Sequence, residues 1–409
     1  MKSMKKWLCL SLALIMAVGL VMIPSGAVDV AEAEKNAVAN ALIEKIKANY
    51  AEYYTIPRIS AEVVGVEQNG GNTVYTIAVS LARVLRAESA ADLPYVQGML
   101  TEAAQLDAAC KSVALSDLAV LVSELEAEYI GKEQEENGLY QVSVPAATAR
   151  TRAERVESAA YSVVYMDDML FPVESLRPAG QNELREQGKV QARTYTASAV
   201  AERQSREAAE ASVMSVSATT STAQDYNRIR ARDYIRQYCC NSGAFHECPY
   251  ANTAEYRFVY ANGKLADCAN YVSQAINYGG ISRDSVWAPY TQAWVNVGAP
   301  YRPNQAPFPG LTTYMLEKDY FFQTTDKFKA FAGSIVYWYG DHVGMVDQND
   351  TVTMTYCAHN ACQKQAPFGS DWVYGFYGEY TLPNGTQRGK VSFFVPVWDS
   401  YANTWTPQN

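Results

Sequence analysis

The sequence predicts an α+β protein in which two unlike domains are joined by a polar linker. Its 409 residues are enough for two or three domains. Segments with helical spacing and short strand-like runs occur in both halves, which is typical of helices packed on antiparallel sheets. The aromatic residues divide the chain, since six of the seven Trp and eleven of the 12 Phe lie at or after residue 226. The region before that position carries all of the net negative charge, because the later region has fourteen basic and fourteen acidic residues.

We predict four segments along the chain. A signal peptide is expected over residues 1–27, a small α+β domain of unknown role over 28–170, a polar linker over 171–224 and the functional domain over 225–409. The linker is predicted from its Ala, Ser, Thr, Glu and Gln content, although residues 200–211 are also compatible with a polar helix.

The first residues resemble a secretory signal. Lys2, Lys5 and Lys6 precede an uncharged apolar run from Leu8 to Ile23. Small residues at positions 25 and 27 predict cleavage after Ala27, with a second candidate site at positions 31 and 33. An uncleaved single-span anchor is the alternative. After cleavage we expect a secreted or cell-wall-associated protein with no stable membrane anchor.

Charge and histidine content exclude several classes of protein. The formal net charge is -9 and the pI is near 5.1, so the chain lacks the basic surface that nucleic acid requires. It has three histidines, His246, His342 and His359, which leaves little room for a multi-histidine metal centre. We therefore expect no cofactor, no metal and no nucleic-acid partner.

The first domain is predicted to place helices on an antiparallel sheet. A helical stripe covers residues 33–50, and Gly70-Gly71-Asn72 predicts a hairpin between strands at 59–66 and 73–81. Further helices are expected at 93–106 and 115–129, and further strands at 139–144 and 161–166. The domain contains no histidine, and Cys110 is expected to be a buried small residue.

A cysteine on the first turn of a helix is the strongest chemical feature of the C-terminal domain. Residues 265–276 have helical spacing, and Gly279-Gly280 follows them. This places Cys268 where helix amides and the macrodipole favour a nucleophilic thiolate. Asp267 is either the N-cap or a residue of the catalytic site. A cysteine that packs or forms a disulfide is the alternative interpretation of Cys268.

A histidine that could serve this thiol lies on a later strand. The runs 333–339 and 342–346 predict a hairpin around Gly340-Asp341, with His342 on the same strand face as Gly344. A third strand over 351–356 leads to His359 and Asn360. A polar group there could orient the imidazole, as in a catalytic triad. A structural histidine is the alternative interpretation of His342.

The cysteine helix also carries a family resemblance. Residues Asp267 to Gln274 read D-C-A-N-Y-V-S-Q and resemble the D-C-x-N-[FY]-x-S-Q signature of the putative amidase domain of secreted bacterial proteins. That family is similar to the NlpC/P60 and CHAP cell-wall hydrolases, a circularly varied branch of the papain-like cysteine peptidases. The resemblance covers roughly residues 226–377. It departs at Gly333-Ser334, where such domains commonly have Gly-Asp.

The resemblance implies a papain-like C-terminal domain with a nucleophile helix packed on an antiparallel sheet. It implies Cys268 as nucleophile, His342 as general base and acid, and His359 or Asn360 as the orienting residue. The implied substrate is cell-wall peptide. For the oxyanion, the backbone amide of Cys268 is the natural donor and the Asn262 side chain is a second candidate, although Asn before Gly is also typical of a turn.

The remaining cysteines form two groups beside the other histidines. Cys239, Cys240 and Cys248 lie in one loop with His246, and Cys357 and Cys362 flank His359. Zinc and disulfides are both compatible with such groups. Adjacent Cys239 and Cys240 fit one tetrahedral centre poorly, and an oxidising compartment favours disulfides, whose connectivity stays open.

The sequence thus predicts a secreted cysteine amidase or peptidase that cleaves an amide bond, in cell-wall peptide. Two alternatives stay open: a non-catalytic wall-binding or peptide-binding module on the same fold, and a thiol acyltransferase. Trp287, Trp294 and Trp338 are candidate walls of an aromatic cleft, but core positions are favoured for each of them.

Overall fold

A computed structural model describes residues 32–146, 151–165, 169–201, 203–205, 226–243, 246–369, 372–382, 385, 387–399 and 404–405. The predicted signal peptide over 1–27 and residues 206–224 of the predicted linker lie outside these residues. In the part that is described, no helix has the length and apolarity needed to cross a membrane.

The first unit is a five-stranded antiparallel sheet with helices packed against it. The strands are ordered β1-β2-β3-β4-β5, so each strand pairs with its neighbour in sequence. The predicted helix, hairpin and later strands of this region are confirmed. In chain order the elements are α1 (Glu32–Tyr50), β1 (Tyr54–Asn69), β2 (Asn72–Leu85), α2 (Pro94–Ala103), α3 (Ala108–Glu128), β3 (Gln134–Pro145), α4 (Arg152–Glu157), β4 (Ala160–Tyr165), β5 (Met169–Pro172) and α5 (Gln181–Arg193).

Local sequence explains the boundaries of these elements. Gly70 and Gly71 have φ values of 55° and 82°, the left-handed conformations that a tight hairpin between β1 and β2 requires. The Asp107 side chain accepts hydrogen bonds from the Ala109 and Cys110 amides and so caps the start of α3. Cys110 is a free, buried thiol on that helix, as predicted.

Helix α5 lies inside the segment that was predicted to be a linker. It packs on α2 at two glycines: a Cβ on Gly98 would lie 2.0 Å from the Arg185 carbonyl oxygen, and one on Gly188 would lie 2.0 Å from the Tyr95 carbonyl oxygen. Leu184 is fully buried in the contact. The early part of that segment is therefore an ordered helix of the first unit, which its polar composition did not reveal.

The second unit is built around a six-stranded antiparallel sheet. Its strand order is β12-β11-β10-β9-β15-β8. The last strand of this sheet in sequence, β15, therefore lies between β8 and β9. In chain order the elements are α6 (Arg228–Gln237), β6 (Tyr260–Ala261), β7 (Lys264–Leu265), α7 (Cys268–Gly279), α8 (Gln292–Val295), α9 (Leu311–Glu317), β8 (Phe321–Thr324), β9 (Ile335–Trp338), β10 (His342–Asn349), β11 (Met354–Ala358), β12 (Gln363–Pro367), β13 (Glu379–Thr381), β14 (Gln387–Gly389), β15 (Val391–Pro396), β16 (Trp398–Asp399) and β17 (Thr404–Trp405).

The two faces of this sheet have different coverings. Val343 and Met345 of β10 pack in one core with the helices α6 and α7. Trp338 and Tyr356 point to the opposite face and pack in a core that they share with the first unit. The predicted α+β class is confirmed with antiparallel sheets throughout, and the two units meet through buried apolar surface.

Candidate active site

Cys268 is the first residue of α7, as the sequence predicted. The helix ends where Gly280 adopts a φ of 125°. Gly279 allows the Tyr226 ring to approach, since a Cβ there would lie 2.6 Å from a ring carbon. The two glycines therefore set the length and the packing of the helix.

The polar residues of the Asp267–Gln274 motif fix this helix in the core. Asn270 donates to the Arg257 carbonyl oxygen and accepts from the Trp294 indole at 2.8 Å. The Ser273 hydroxyl donates to the Trp294 carbonyl oxygen, and Gln274 accepts from the Tyr234 hydroxyl. Trp287, Trp294 and Trp338 are all fully buried, so the predicted core role of these indoles is confirmed.

The Cys268 thiol is buried against the start of β10. Burial raises the pKa of the thiol to about 12, even though hydrogen bonds from the Val343 and Ala269 backbone amides favour the thiolate. Val343 is the residue after His342, so the backbone of the predicted base lies directly beside the sulfur. In this arrangement the thiol is protonated at neutral pH.

The His342 side chain lies on the other face of the strand. His342 pairs with Trp338 across the β9–β10 ladder, and the two rings are 5.6 Å apart. Its Nε2 is buried and makes no hydrogen bond to any residue that the structure describes. Burial, followed by repulsion from His359, lowers the pKa of His342 to about 3. The imidazole is therefore neutral.

Cys268 and His342 are thus close in backbone position, but their side chains are not joined by a hydrogen bond among the described residues. Strand alternation explains this, because Val343 and not His342 points toward α7. The neighbouring strand β11 explains why position 344 is a glycine, since a Cβ there would lie 2.8 Å from the Cys357 carbonyl oxygen.

Asp267 connects the cysteine helix to His359 and does not act as an N-cap by its side chain. One carboxylate oxygen accepts from the Val259 amide and the Asn270 side chain, and the other lies 2.9 Å from His359 Nδ1. The sequence left the role of Asp267 open. The only signal for this contact was a charged residue directly before a buried helix.

His359 is held between two acceptors. Its Nδ1 faces Asp267, and its Nε2 lies 2.8 Å from the Tyr238 carbonyl oxygen. Only the doubly protonated ring can donate to both. Burial opposes this charge, but the Asp267 and Cys248 contacts raise the pKa of His359 to about 9. The ring stacks on Tyr271 at 3.7 Å. His359 therefore orients Asp267 and the cysteine helix, and it makes no hydrogen bond to His342.

The two asparagines among the predicted site residues have different surroundings. Asn360 is buried with a φ of 81°, and its side-chain oxygen accepts from the Asp267 amide at 2.6 Å. Asn262 is exposed with a φ of 51° in the turn between β6 and β7. Asn360 thus supports the residue before Cys268, whereas the position of Asn262 favours its turn interpretation.

A cavity of about 420 Å³ opens beside the β9–β10 turn that leads into His342. Tyr339, Gly340 and Asp341 of that turn line it, together with Arg302 and Glu379. Burial raises the pKa of Asp341. Neither Cys268 nor His342 is among the residues that line the cavity. The cavity lies beside the turn before His342 and carries both acidic and basic side chains.

The seven described cysteines are all free thiols, so the predicted disulfides are not present in the structure. Cys357 and Cys362, which flank His359 in the sequence, have different surroundings. Cys357 accepts a hydrogen bond from the Gln365 amide, whereas Cys362 lies among Cys239, Cys240 and Cys248.

The buried neutral state of His342 predicts that acid destabilises the fold. Its folded pKa of about 3 lies below the ordinary value of 6.5, so below pH 6.5 the unfolded chain binds a proton that the folded chain does not. Stability should fall by about 1 kcal/mol per pH unit from this group as the pH drops toward 4. Denaturant unfolding of the wild type and His342→Gln at several pH values checks this. We expect a shallower acid slope for the variant, and equal slopes would contradict the prediction.

The comparisons with known proteins bear on the second unit. Residues 225–358 match the model of the family described as "Putative amidase domain". No curated protein and no solved structure matches the chain significantly. The matched segment includes Cys268 and His342, and it ends one residue before His359. It spans a third of the chain, and it identifies that third as resembling a domain whose description indicates amide hydrolysis.

Proposed function

We propose that the protein is a cysteine-dependent amidase or peptidase with Cys268 as its nucleophile and His342 as its general base and acid. The observation that carries this proposal is the position of Cys268 inside the family match. Its sulfur is at the first turn of a buried helix and accepts a hydrogen bond from the amide that follows His342. The side chains of Asn270, Ser273 and Gln274 in the same motif make buried hydrogen bonds that fix the helix in the core. A cysteine that serves only for packing does not require such a network around it.

The proposed reaction has two stages. The thiol transfers its proton to His342, and the sulfur attacks the carbonyl carbon of the substrate amide. The carbon–nitrogen bond breaks, the leaving nitrogen takes the proton, and a thioester on Cys268 remains. Water then hydrolyses the thioester and the thiol is restored. Because the His342 side chain lies on the face of β10 opposite to Cys268, rotation of the ring alone does not bring it to the sulfur. The proposal therefore requires the backbone at the start of β10 to move when substrate binds, so that the imidazole reaches the thiol.

The orienting residues of this proposal act through the helix. His359 and Asn360 both contact Asp267, the residue before the nucleophile. They would hold the helix start and its amides in position, and the Cys268 amide is the natural oxyanion donor. We propose them as positioning residues.

We propose cell-wall peptide as the substrate class and an extracellular location for the protein. The support is the predicted signal segment, the family resemblance and the polar cavity beside the turn that precedes His342. The test incubates the full chain with purified bacterial cell walls and, separately, with casein. We use the full chain because its two units share a core. Release of new amino groups from the walls is expected, and release from casein alone would reject the cell-wall substrate.

A second candidate function is a non-catalytic binding module. The separation of the Cys268 and His342 side chains, together with their neutral states, favours it. Co-sedimentation of the full chain with cell walls, without release of amino groups, would select this function over the first.

A further inference from the structure

A cluster of thiols and imidazoles contains residues of the same core as α7, but it includes neither Cys268 nor His342. The loop that carries Cys240, His246 and Cys248 meets the turn that carries Cys362. The ligand atoms of Cys240, His246 and Cys362 all lie within 4.8 Å of one another. Cys248 lies within the same distance of Cys362 and is also in contact with Cys240. Cys362 is therefore the common neighbour of the other three residues.

Two nearby groups are excluded as ligands by their own contacts. Both ring nitrogens of His359 already face acceptors, namely Asp267 and the Tyr238 carbonyl oxygen. The Cys239 thiol lies 3.3 Å from both the Cys240 and Ala358 carbonyl oxygens and belongs to neither group of ligand atoms within 4.8 Å of one another. The sulfurs of Cys240 and Cys248 have longer contacts of this kind, 3.9 Å to the Ser242 hydroxyl and 3.8 Å to the Tyr238 carbonyl oxygen. Four side chains remain.

We propose that Cys240, His246, Cys248 and Cys362 bind a structural zinc ion. Three thiolates and one imidazole form a closed tetrahedral set, which is typical of structural zinc. Sulfurs bound to zinc at about 2.3 Å are about 3.8 Å apart, so Cys240, His246 and Cys362 need to contract by roughly 1 Å around the ion. Cys248 lies within 4.8 Å of Cys362 and must also move toward His246 to complete the set. Binding releases the three thiol protons and transfers no electrons. The proposal does not depend on the amidase activity.

The surroundings of His246 match those of a zinc-bound histidine. Its Nε2 faces the Cys240 sulfur at 3.4 Å, and its Nδ1 lies 3.1 Å from the Ser242 hydroxyl, which is also 3.4 Å from Nε2. A metal-binding histidine usually fixes its second nitrogen in this way.

Backbone hydrogen bonds bring the ligands together without the ion. The Ser242 and Gly243 amides donate to the Cys362 carbonyl oxygen, and the His246 amide donates to the Asn360 carbonyl oxygen. Since Asn360 also contacts Asp267, zinc would tie both loops to the start of the cysteine helix. A disulfide would use Cys362 with a single partner and leave His246 and the third thiol unused, which is why we favour the metal.

The test measures metal and thiol state in the full chain. Protein purified without chelator and then dialysed should retain about one zinc per chain by elemental mass spectrometry. Cys362→Ser and His246→Gln should each lower the retained zinc at least fivefold, whereas the control variants Cys357→Ser and Cys110→Ser should retain the wild-type amount. Addition of cobalt(II) to metal-free wild type should produce the visible absorption of a tetrahedral thiolate complex, a readout that needs no variant to fold.

Three results would overturn the proposal. One is zinc-free protein in which intact mass shows Cys240, Cys248 or Cys362 in disulfides. The second is reduced protein that takes up neither zinc nor cobalt. The third is bound zinc that the Cys362 and His246 substitutions do not reduce in soluble, folded protein.

Discussion

Replacing Arg83 with methionine should lower the free energy of unfolding by about 3–5 kcal/mol. Arg83 on β2 is completely buried, and its guanidinium lies 3.3 Å from Glu136 and 3.8 Å from Asp350. It also stacks on Tyr54 at 4.7 Å. Removing the cation leaves two buried carboxylates without a counter-charge, and burial already raises the pKa of Glu136.

The effect should reach both units because the network spans them. Arg83 and Glu136 belong to the first sheet, whereas Asp350 lies between β10 and β11 of the second. The Tyr54 hydroxyl donates to Asp350 at 2.7 Å across the same boundary. We therefore expect Arg83→Met to broaden or split the thermal unfolding transition as well as to lower its midpoint.

The neighbouring strand β1 of the same hairpin provides a matched control. Arg58 pairs with Glu133 and Glu135 at the surface, where its side chain is 62% exposed. Arg58→Met should lower the free energy of unfolding much less than Arg83→Met, because exposed ion pairs are screened by water. Equal losses of stability in the two variants, measured by denaturant unfolding, would contradict the role assigned to the buried network.

Replacing Cys268 with alanine should reduce amide hydrolysis by about 10³-fold or more, because no other group replaces the nucleophile of an acyl-enzyme. The thermal midpoint should change little, since the substitution removes one sulfur from the helix start. The rate of amino-group release from the preferred substrate checks the activity, and thermal unfolding checks the fold.

A second cysteine separates catalysis from general thiol loss. Cys110 is also buried near the start of a helix, but it lies in the first unit, outside the family match. Cys110→Ser should keep wild-type activity. A Cys268→Ala protein with more than a tenth of wild-type activity would remove the thiol from the mechanism.

Local sequence patterns predicted the elements that local chemistry controls. Hydrophobic periodicity, together with the glycines that end or connect elements, predicted the Gly70-Gly71 turn, the apolar face of α1 and the helix that begins at Cys268. Helix α5 did not, because its polar face dominates the composition and its packing depends on Gly98, which lies in another helix. The buried position of Arg83 does have a sign in the sequence, because Arg83 is a single charged residue within the apolar strand β2.

The candidate site shows the same limit. Spacing placed Cys268 on its helix and His342 on its strand, but the face that His342 occupies depends on its register with Trp338. The contact between Asp267 and His359 joins residues 92 positions apart, and no pattern in one sequence encodes it. The different surroundings of Cys357 and Cys362 also depend on the fold, because Cys357 lies on β11 whereas Cys362 lies in the turn that follows it.

Alkylation of the native full chain tests the reactive thiol most directly. Iodoacetamide is added to active enzyme, and at each time point the fraction of Cys268 that is modified, read from peptide mass spectrometry, is compared with the remaining rate of amino-group release. We expect the remaining activity to fall in proportion to the modified fraction of Cys268. The wild-type protein and Cys110→Ser should show the same relation between these two quantities. Full activity after complete modification of Cys268, or a Cys268 found in a disulfide in active protein, would contradict a Cys268 nucleophile.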